Sequence, residues 1–169
     1  MYITLPELAD RPGPEELSQA ATPRRYRPVD ADLLDALLRG NPVSAWTPED
    51  VAIGAQALDV IVSAVNDAQA YIDGFLQQRG YLPLQQRFGI VTGWARAIAR
   101  YLLHKDRLGP GEDKDPIVRD YRDAVKFLQL TADGKFSLGQ DDPVNNGSSG
   151  APQIDTSGRT FSRETLKDF

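Results

Sequence analysis

The chain contains no cysteine and a single histidine, and both shortages limit the chemistry available to it. Without cysteine, disulfide bonds and thiolate metal sites are excluded. A zinc site lacks its usual ligands, and any imidazole-dependent catalytic site would have to use His104 alone. We therefore expect no metal, no cofactor and no enzymatic activity.

Positive charge and long apolar runs are also scarce. The formal net charge is −5, and nucleic-acid binding depends on Lys and Arg neutralising phosphates, so general attraction to DNA is not expected. No run of about 18 apolar residues occurs, which predicts no transmembrane helix and no membrane partner. The opening Met1-Tyr2-Ile3-Thr4 is not a basic, apolar leader, so we expect synthesis and retention in the cytoplasm.

The first forty residues carry the start and stop signals of short helices. Thr4-Leu5-Pro6-Glu7 has the spacing of a capping box and predicts a helix that ends before Pro12-Gly13-Pro14. A second short helix is predicted over Glu15 to Ala21. A third is predicted over Asp30 to Arg39, with leucines on one face and Gly40 as its stop.

Three longer helices follow, and their apolar residues recur at steps of three and four. The first begins at the N-cap Thr47 and runs for about thirty residues, or ~45 Å, so it must either project or form the axis for the other helices. The apolar positions predicted to form its buried stripe are Val51, Ala55, Leu58, Ile61, Val62, Val65, Ala68, Ile72, Phe75 and Leu76. The others run from about Gln86 to Lys105 and from Asp115-Pro116 to near Gly134. The fold class predicted is all-α, a small bundle of three main helices with short N-terminal helices.

Composition changes sharply after residue 138, which divides the chain into a helical domain, 1–138, and an extended, flexible arm, 139–169. Lys135 to Leu138 is predicted as a short extended piece. Residues 139–158 are polar and glycine-rich and bury too little apolar surface to offset the entropy of ordering. Residues 159–169 regain Phe161, Leu166 and Phe169. This segment either docks on a neighbouring subunit or folds back on its own domain, and the sequence favours neither.

Two groups of residues are candidates for contacts with partners. Arg24, Arg25, Tyr26 and Arg27 form a basic cluster around an aromatic residue, which suits a protein interface better than a nucleic-acid site because the patch is short. Asp73, Arg79 and Tyr81 surround the end of the first long helix. Their simpler interpretation is structural, with Arg79 and Tyr81 satisfying and packing the helix terminus.

Several motifs, in their order along the chain, resemble the Mu-like phage head–tail connector, or neck adaptor, family. Phe75 stands where the family motif usually has tyrosine, and Gly80 is an insertion. The matching segments are Met1 to Thr4, Asp67-Ala68, Tyr71 to Leu76, Arg79, Tyr81, Leu82-Pro83-Leu84, Ala97 to Leu102, the spaced residues Val118, Tyr121, Ala124, Phe127 and Leu128, the turn Asp133-Gly134-Lys135 with Leu138 and Gly139, and the spaced residues Arg159, Phe161, Ser162, Arg163, Leu166 and Phe169.

This resemblance implies a structural virion protein of the neck region, made in the cytoplasm of a bacterial host. Members of the family are expected to form a ring, twelve-fold in symmetry, below the portal protein. The ring would extend the channel for genomic DNA without sequence-specific binding and would dock the next neck or tail-terminator protein. The alternative is a small helical nucleic-acid-binding or regulatory module that uses the cluster from Arg24 to Arg27.

Overall fold

Six α-helices form the regular structure of residues 1–108 and 114–139, the parts of the chain that the computed structural model describes. Within these residues there is no β-strand, which confirms the all-α prediction. A 3-10 turn, Lys105–Arg107, follows the fifth helix. The helices are α1 Leu5–Asp10, α2 Pro14–Ala21, α3 Ala31–Arg39, α4 Pro48–Gln78, α5 Gly89–His104 and α6 Pro116–Ala132.

The predicted starts of α1, α3, α4 and α6 are confirmed by their capping contacts. Thr4 and Glu7 form the capping box of α1, with the Thr4 amide donating to Glu7 Oε2 at 2.8 Å. The side chains of Asp30, Thr47 and Asp115 each accept a hydrogen bond from a backbone N–H in the first turn of α3, α4 and α6. These caps could be predicted from the sequence because a cap involves residues only two or three positions apart.

Two predicted boundaries are wrong. Helix α5 begins at Gly89 rather than near Gln86, because Phe88 has an extended backbone and packs its ring against the core. Lys135 to Leu138 forms bends rather than an extended piece. There Phe136 packs against aromatic residues of the core and Leu138 is buried, so side-chain burial determines the path of the backbone.

Helix α4 is the axis on which the other helices pack. Helices α1 to α3 contact one another, with α2 and α3 also lying on α4, while α5 and α6 pack on α4 and on each other. Ala55, which was expected in the buried stripe, is exposed, whereas Gly54 is buried against α3. The buried face of α4 consists of Gly54, Ala57, Ile61, Ala64, Val65, Ala68, Ile72 and Leu76.

One tyrosine from each of the three main helices meets at a common junction. The rings of Tyr101 and Tyr121 stack with centroids 4.0 Å apart. Burial and a hydrogen bond with Tyr71 raise the pKa of Tyr121 to about 12. The junction therefore links the C-terminal half of α4 to α5 and α6 by contacts that involve both rings and hydroxyls.

Helix α4 is also long and apolar enough to cross a lipid bilayer, judged by length and composition alone. The sequence analysis predicted no segment able to span a membrane, and the length and composition of α4 correct that prediction. One helix of this kind is weak evidence for a membrane span, because core helices of globular proteins meet the same criterion. Its apolar stripe is covered by other helices of the chain, and the absence of a membrane partner stays a prediction.

Candidate interaction surfaces

The loop that carries the basic cluster is fastened at both ends by buried polar contacts. Thr22 Oγ1 donates to the carbonyl of Ser18 at 2.6 Å and accepts the amide of Val29 at 3.1 Å. Ser18 in turn donates its hydroxyl to the carbonyl of Val29. Because Ser18 and Thr22 are buried, these bonds hold the intervening residues 23–28 in a defined position on the surface.

All four residues of the predicted cluster are exposed on this loop. Arg24 Nη2 donates to the carbonyl of Asp106 at 2.9 Å, and Arg25 Nη2 donates to Gln56 Oε1 at 3.0 Å. The guanidinium of Arg25 lies 4.8 Å from the centre of the Tyr26 ring, a distance that permits a cation–π interaction. These contacts orient Arg24 and Arg25 while leaving their charges at the surface.

Two further cations join the cluster through the tertiary structure. Lys105 and Arg107 belong to the 3-10 turn, and Arg107 Nη2 donates to the carbonyl of Thr22 at 3.4 Å. Together with Arg24 they line a surface cavity of about 740 Å³, whose lining also includes Asp67 and Asp106. Sequence reasoning missed this association because the two segments are more than eighty residues apart. We call Arg24, Arg25, Arg27, Lys105 and Arg107, with Tyr26, the basic surface.

Asp73 is engaged within the protomer. Its carboxylate accepts the hydroxyl of Tyr2, and partial burial together with this carboxylate holds the pKa of Tyr2 well above its usual range. The Tyr2 carbonyl accepts the Thr92 hydroxyl at 2.9 Å and Arg87 Nη2 at 3.1 Å. Asp73 therefore helps to fasten the start of the chain across α4 and α5.

Arg79 and Tyr81 have different surroundings although both follow α4. Arg79 is exposed, and its guanidinium lies over Gly134, where a Cβ atom would stand only 2.6 Å from it. Gly134 also has a positive φ of 72°, so both its backbone and its space favour glycine. Tyr81 is only 4 % exposed and lies in the hydrophobic core, a position that suits packing rather than contact with a neighbour.

His104 occupies an ordinary position at the end of α5. Its Nδ1 donates to the carbonyl of Arg100 at 2.9 Å, and its Nε2 lies 3.7 Å from Glu16 Oε1. In the described part of the chain, no group of three or more His, Cys, Asp or Glu residues is placed to hold a metal ion. The remaining candidates, Phe161, Leu166 and Phe169, lie outside the described residues.

Comparison with known proteins identifies the family of this chain. The chain is 34% identical over 128 residues to the Mu-like prophage FluMu protein gp36 of Haemophilus influenzae, covering 74% of this chain and 84% of that protein. It is 32% identical over 106 residues to Gene product J of Escherichia phage Mu, covering 63% of this chain and 65% of that protein. The family model described as Bacteriophage Mu, Gp36 matches residues 2–155. The chain therefore belongs to the bacteriophage Mu Gp36 family and is a phage protein.

Proposed function

We propose that this phage protein is a structural subunit of the head–tail connector. Copies of the chain form a ring below the portal protein, extend the DNA channel and provide a docking surface for the next neck or tail protein. The observation that carries the proposal is the near end-to-end match to the Mu Gp36 family, joined to the connector-like order of motifs. This role requires no catalysis and no cofactor.

The composition of the basic surface supports a role in subunit contacts. Arginine and tyrosine are enriched among the residues that contribute most to binding energy at protein interfaces. The basic surface has Arg24 and Arg25 held by hydrogen bonds, so less side-chain entropy is lost when they bind a partner. Val60, an exposed apolar residue of α4, lines the same cavity and adds apolar area beside the charges.

The distribution of charge supports a head-to-tail contact between copies. The whole chain carries a net charge of −5, yet five cations gather on the basic surface, so the rest of the molecule is more acidic than the total indicates. A heterologous contact that repeats around a closed ring joins different surfaces of neighbouring copies. Pairing a basic surface with an acidic one would favour this arrangement, and acidic groups facing a lumen would repel DNA phosphates.

Native mass spectrometry of the purified full chain, with and without its portal protein, tests the proposal. We expect ring-sized assemblies on the portal, and their loss when Arg24, Arg25 and Arg27 are all replaced by Glu. A control variant with Arg119, Lys126 and Lys135 replaced by Glu changes the net charge equally at exposed positions of α6 and the turn after it. Equal assembly by the two variants would contradict the role of the basic surface, and no assembly by the unmodified chain would contradict the proposal itself.

The exposed cations also favour a second candidate function, a nucleic-acid-binding module. In that case the chain would bind duplex DNA with an affinity that falls steeply with salt, because released counterions drive such binding. Fluorescence anisotropy across a salt series, with the same two triple variants, separates the candidates. A connector subunit is expected to show no DNA affinity that depends on Arg24, Arg25 and Arg27.

A further inference from the structure

A groove of about 560 Å³ lies between α5, α6 and the connection from α1 to α2. It is distinct from the basic surface and contains none of the residues singled out as interface candidates. The groove has a polar side and an aromatic side. Its charged lining residues are three arginines and three acids, Arg11, Arg96, Arg100, Glu16, Asp120 and Asp123, and its aromatic lining residues are Trp94 and Phe127.

The polar side has an arginine whose hydrogen-bonding capacity is unfilled. Arg96 Nε is buried and has no hydrogen-bond partner among the described residues. Arg100, one turn away, is by contrast paired with Glu16, because its Nε and Nη2 donate to the two Glu16 carboxylate oxygens at 2.5 and 2.6 Å. This unfilled donor favours a carboxylate that enters the groove beside Arg96, because such a group would supply a charge-assisted hydrogen bond.

The aromatic side is a cluster of three rings that is left partly uncovered. Trp94 and Phe127 stack with centroids 6.5 Å apart, and Phe136 lies 6.2 Å from Trp94 and 5.4 Å from Phe127. Phe127 is nevertheless 39 % exposed. A ligand suited to this groove therefore carries both apolar side chains and carboxylates.

Residues 159–169 of the same chain have this composition and are attached close to the groove. The segment contains Phe161, Leu166 and Phe169 together with the acids Glu164 and Asp168. The described residues end at Gly139, three positions after Phe136, which belongs to the aromatic side. The nineteen residues between Gly139 and this segment, 140–158, are glycine-rich in sequence, and a linker of this length and composition is expected to span roughly 25 Å, so the segment can reach the groove.

We infer that residues 159–169 dock in cis into this groove, with a carboxylate beside Arg96 and apolar side chains against Trp94 and Phe127. A short tether gives a local concentration in the millimolar range, which favours the segment of the same copy over that of another. Its basic residues would face Asp123, which also lines the groove. This docking does not depend on ring formation and goes beyond the proposed connector role.

The absence of natural cysteines allows a direct test by disulfide trapping in the full chain. One variant carries Ala97→Cys in the groove with Thr165→Cys in the segment. The matched control carries Ala52→Cys, at an exposed position of α4 outside the groove, with the same Thr165→Cys. The rate of disulfide closure under mild oxidation is measured by loss of free thiol and by mass at several protein concentrations.

We expect the groove pair to close roughly tenfold faster than the control pair or more, at a rate independent of protein concentration. Replacing Phe161, Leu166 and Phe169 by Ser should reduce the rate to that of the control, and this change leaves the helical body untouched. Arg96→Gln should also slow closure, with its fold checked by circular dichroism. Equal rates for the two pairs, or disulfides formed only between molecules, would overturn the inference.

Discussion

Gly54 and Gly74 both lie in α4, and replacing each by alanine separates helix propensity from packing. At Gly74 an added Cβ would have no atom within 4 Å, so Gly74→Ala should raise the free energy of unfolding by about 1 kcal/mol. At Gly54 the same Cβ would lie 2.7 Å from Leu37 Cδ1, where α3 crosses α4. Leu37 Cδ1 is the end of a flexible, partly buried side chain that can move aside, so the expected cost is at the low end for overpacking, about 1 kcal/mol, which offsets the gain in propensity.

We therefore expect Gly54→Ala to be less stable than Gly74→Ala by roughly 1 kcal/mol in urea unfolding, with unchanged m-values. A double-mutant cycle identifies the cause. Leu37→Ala removes the atom that the new Cβ would meet, so in its presence Gly54→Ala should approach the benefit seen at Gly74. Equal effects of the two glycine replacements, or no coupling between Gly54 and Leu37, would refute the packing of α3 on α4 described above.

Three other predictions concern the pH dependence, the core and a helix cap. Hydrogen bonds from Arg87 lower the pKa of Glu7 from 4.5 to about 2. The ionised Glu7 side chain therefore contributes fully to folding stability above pH 4.5, and this contribution is lost as the pH falls toward 2. The melting temperature of the unmodified chain should thus fall more steeply over this pH range than that of Glu7→Gln. Parallel plots of melting temperature against pH would contradict the contact between Glu7 and Arg87. Tyr81→Ala should lower the free energy of unfolding, measured with a chemical denaturant, by roughly 3 kcal/mol, because the ring lies in the core. A loss close to zero would indicate that the ring lies at the surface. Asp115→Ala should lower stability by about 1 kcal/mol through loss of the α6 cap, and Asp115→Asn should restore most of it.

Local features of the fold could be predicted from the sequence with good accuracy. The caps at Thr4, Asp30, Thr47 and Asp115 depend on residues within one turn, and the structure has all of them. The start of α5 was missed because the burial of Phe88, a tertiary contact, keeps its backbone extended. The local propensity of a segment does not depend on such a contact.

The candidate surfaces could be predicted only in part. Exposure of the Arg24 to Arg27 loop followed from its polar composition, but its association with Arg107 depends on residues distant in sequence. The partner of Asp73 lies 71 positions away, so no spacing rule could have assigned its carboxylate to Tyr2. The groove at Arg96 was missed for the same reason, since three separate elements form it.

The most direct test of the connector proposal is a cryo-electron-microscopy map, with side-chain detail, of the virion neck of the phage that encodes this chain. We expect a ring of this protein between the portal and the tail, with the basic surface, including Arg24 and Arg25, at the contact between neighbouring copies. A neck ring built from a different chain would contradict the connector proposal.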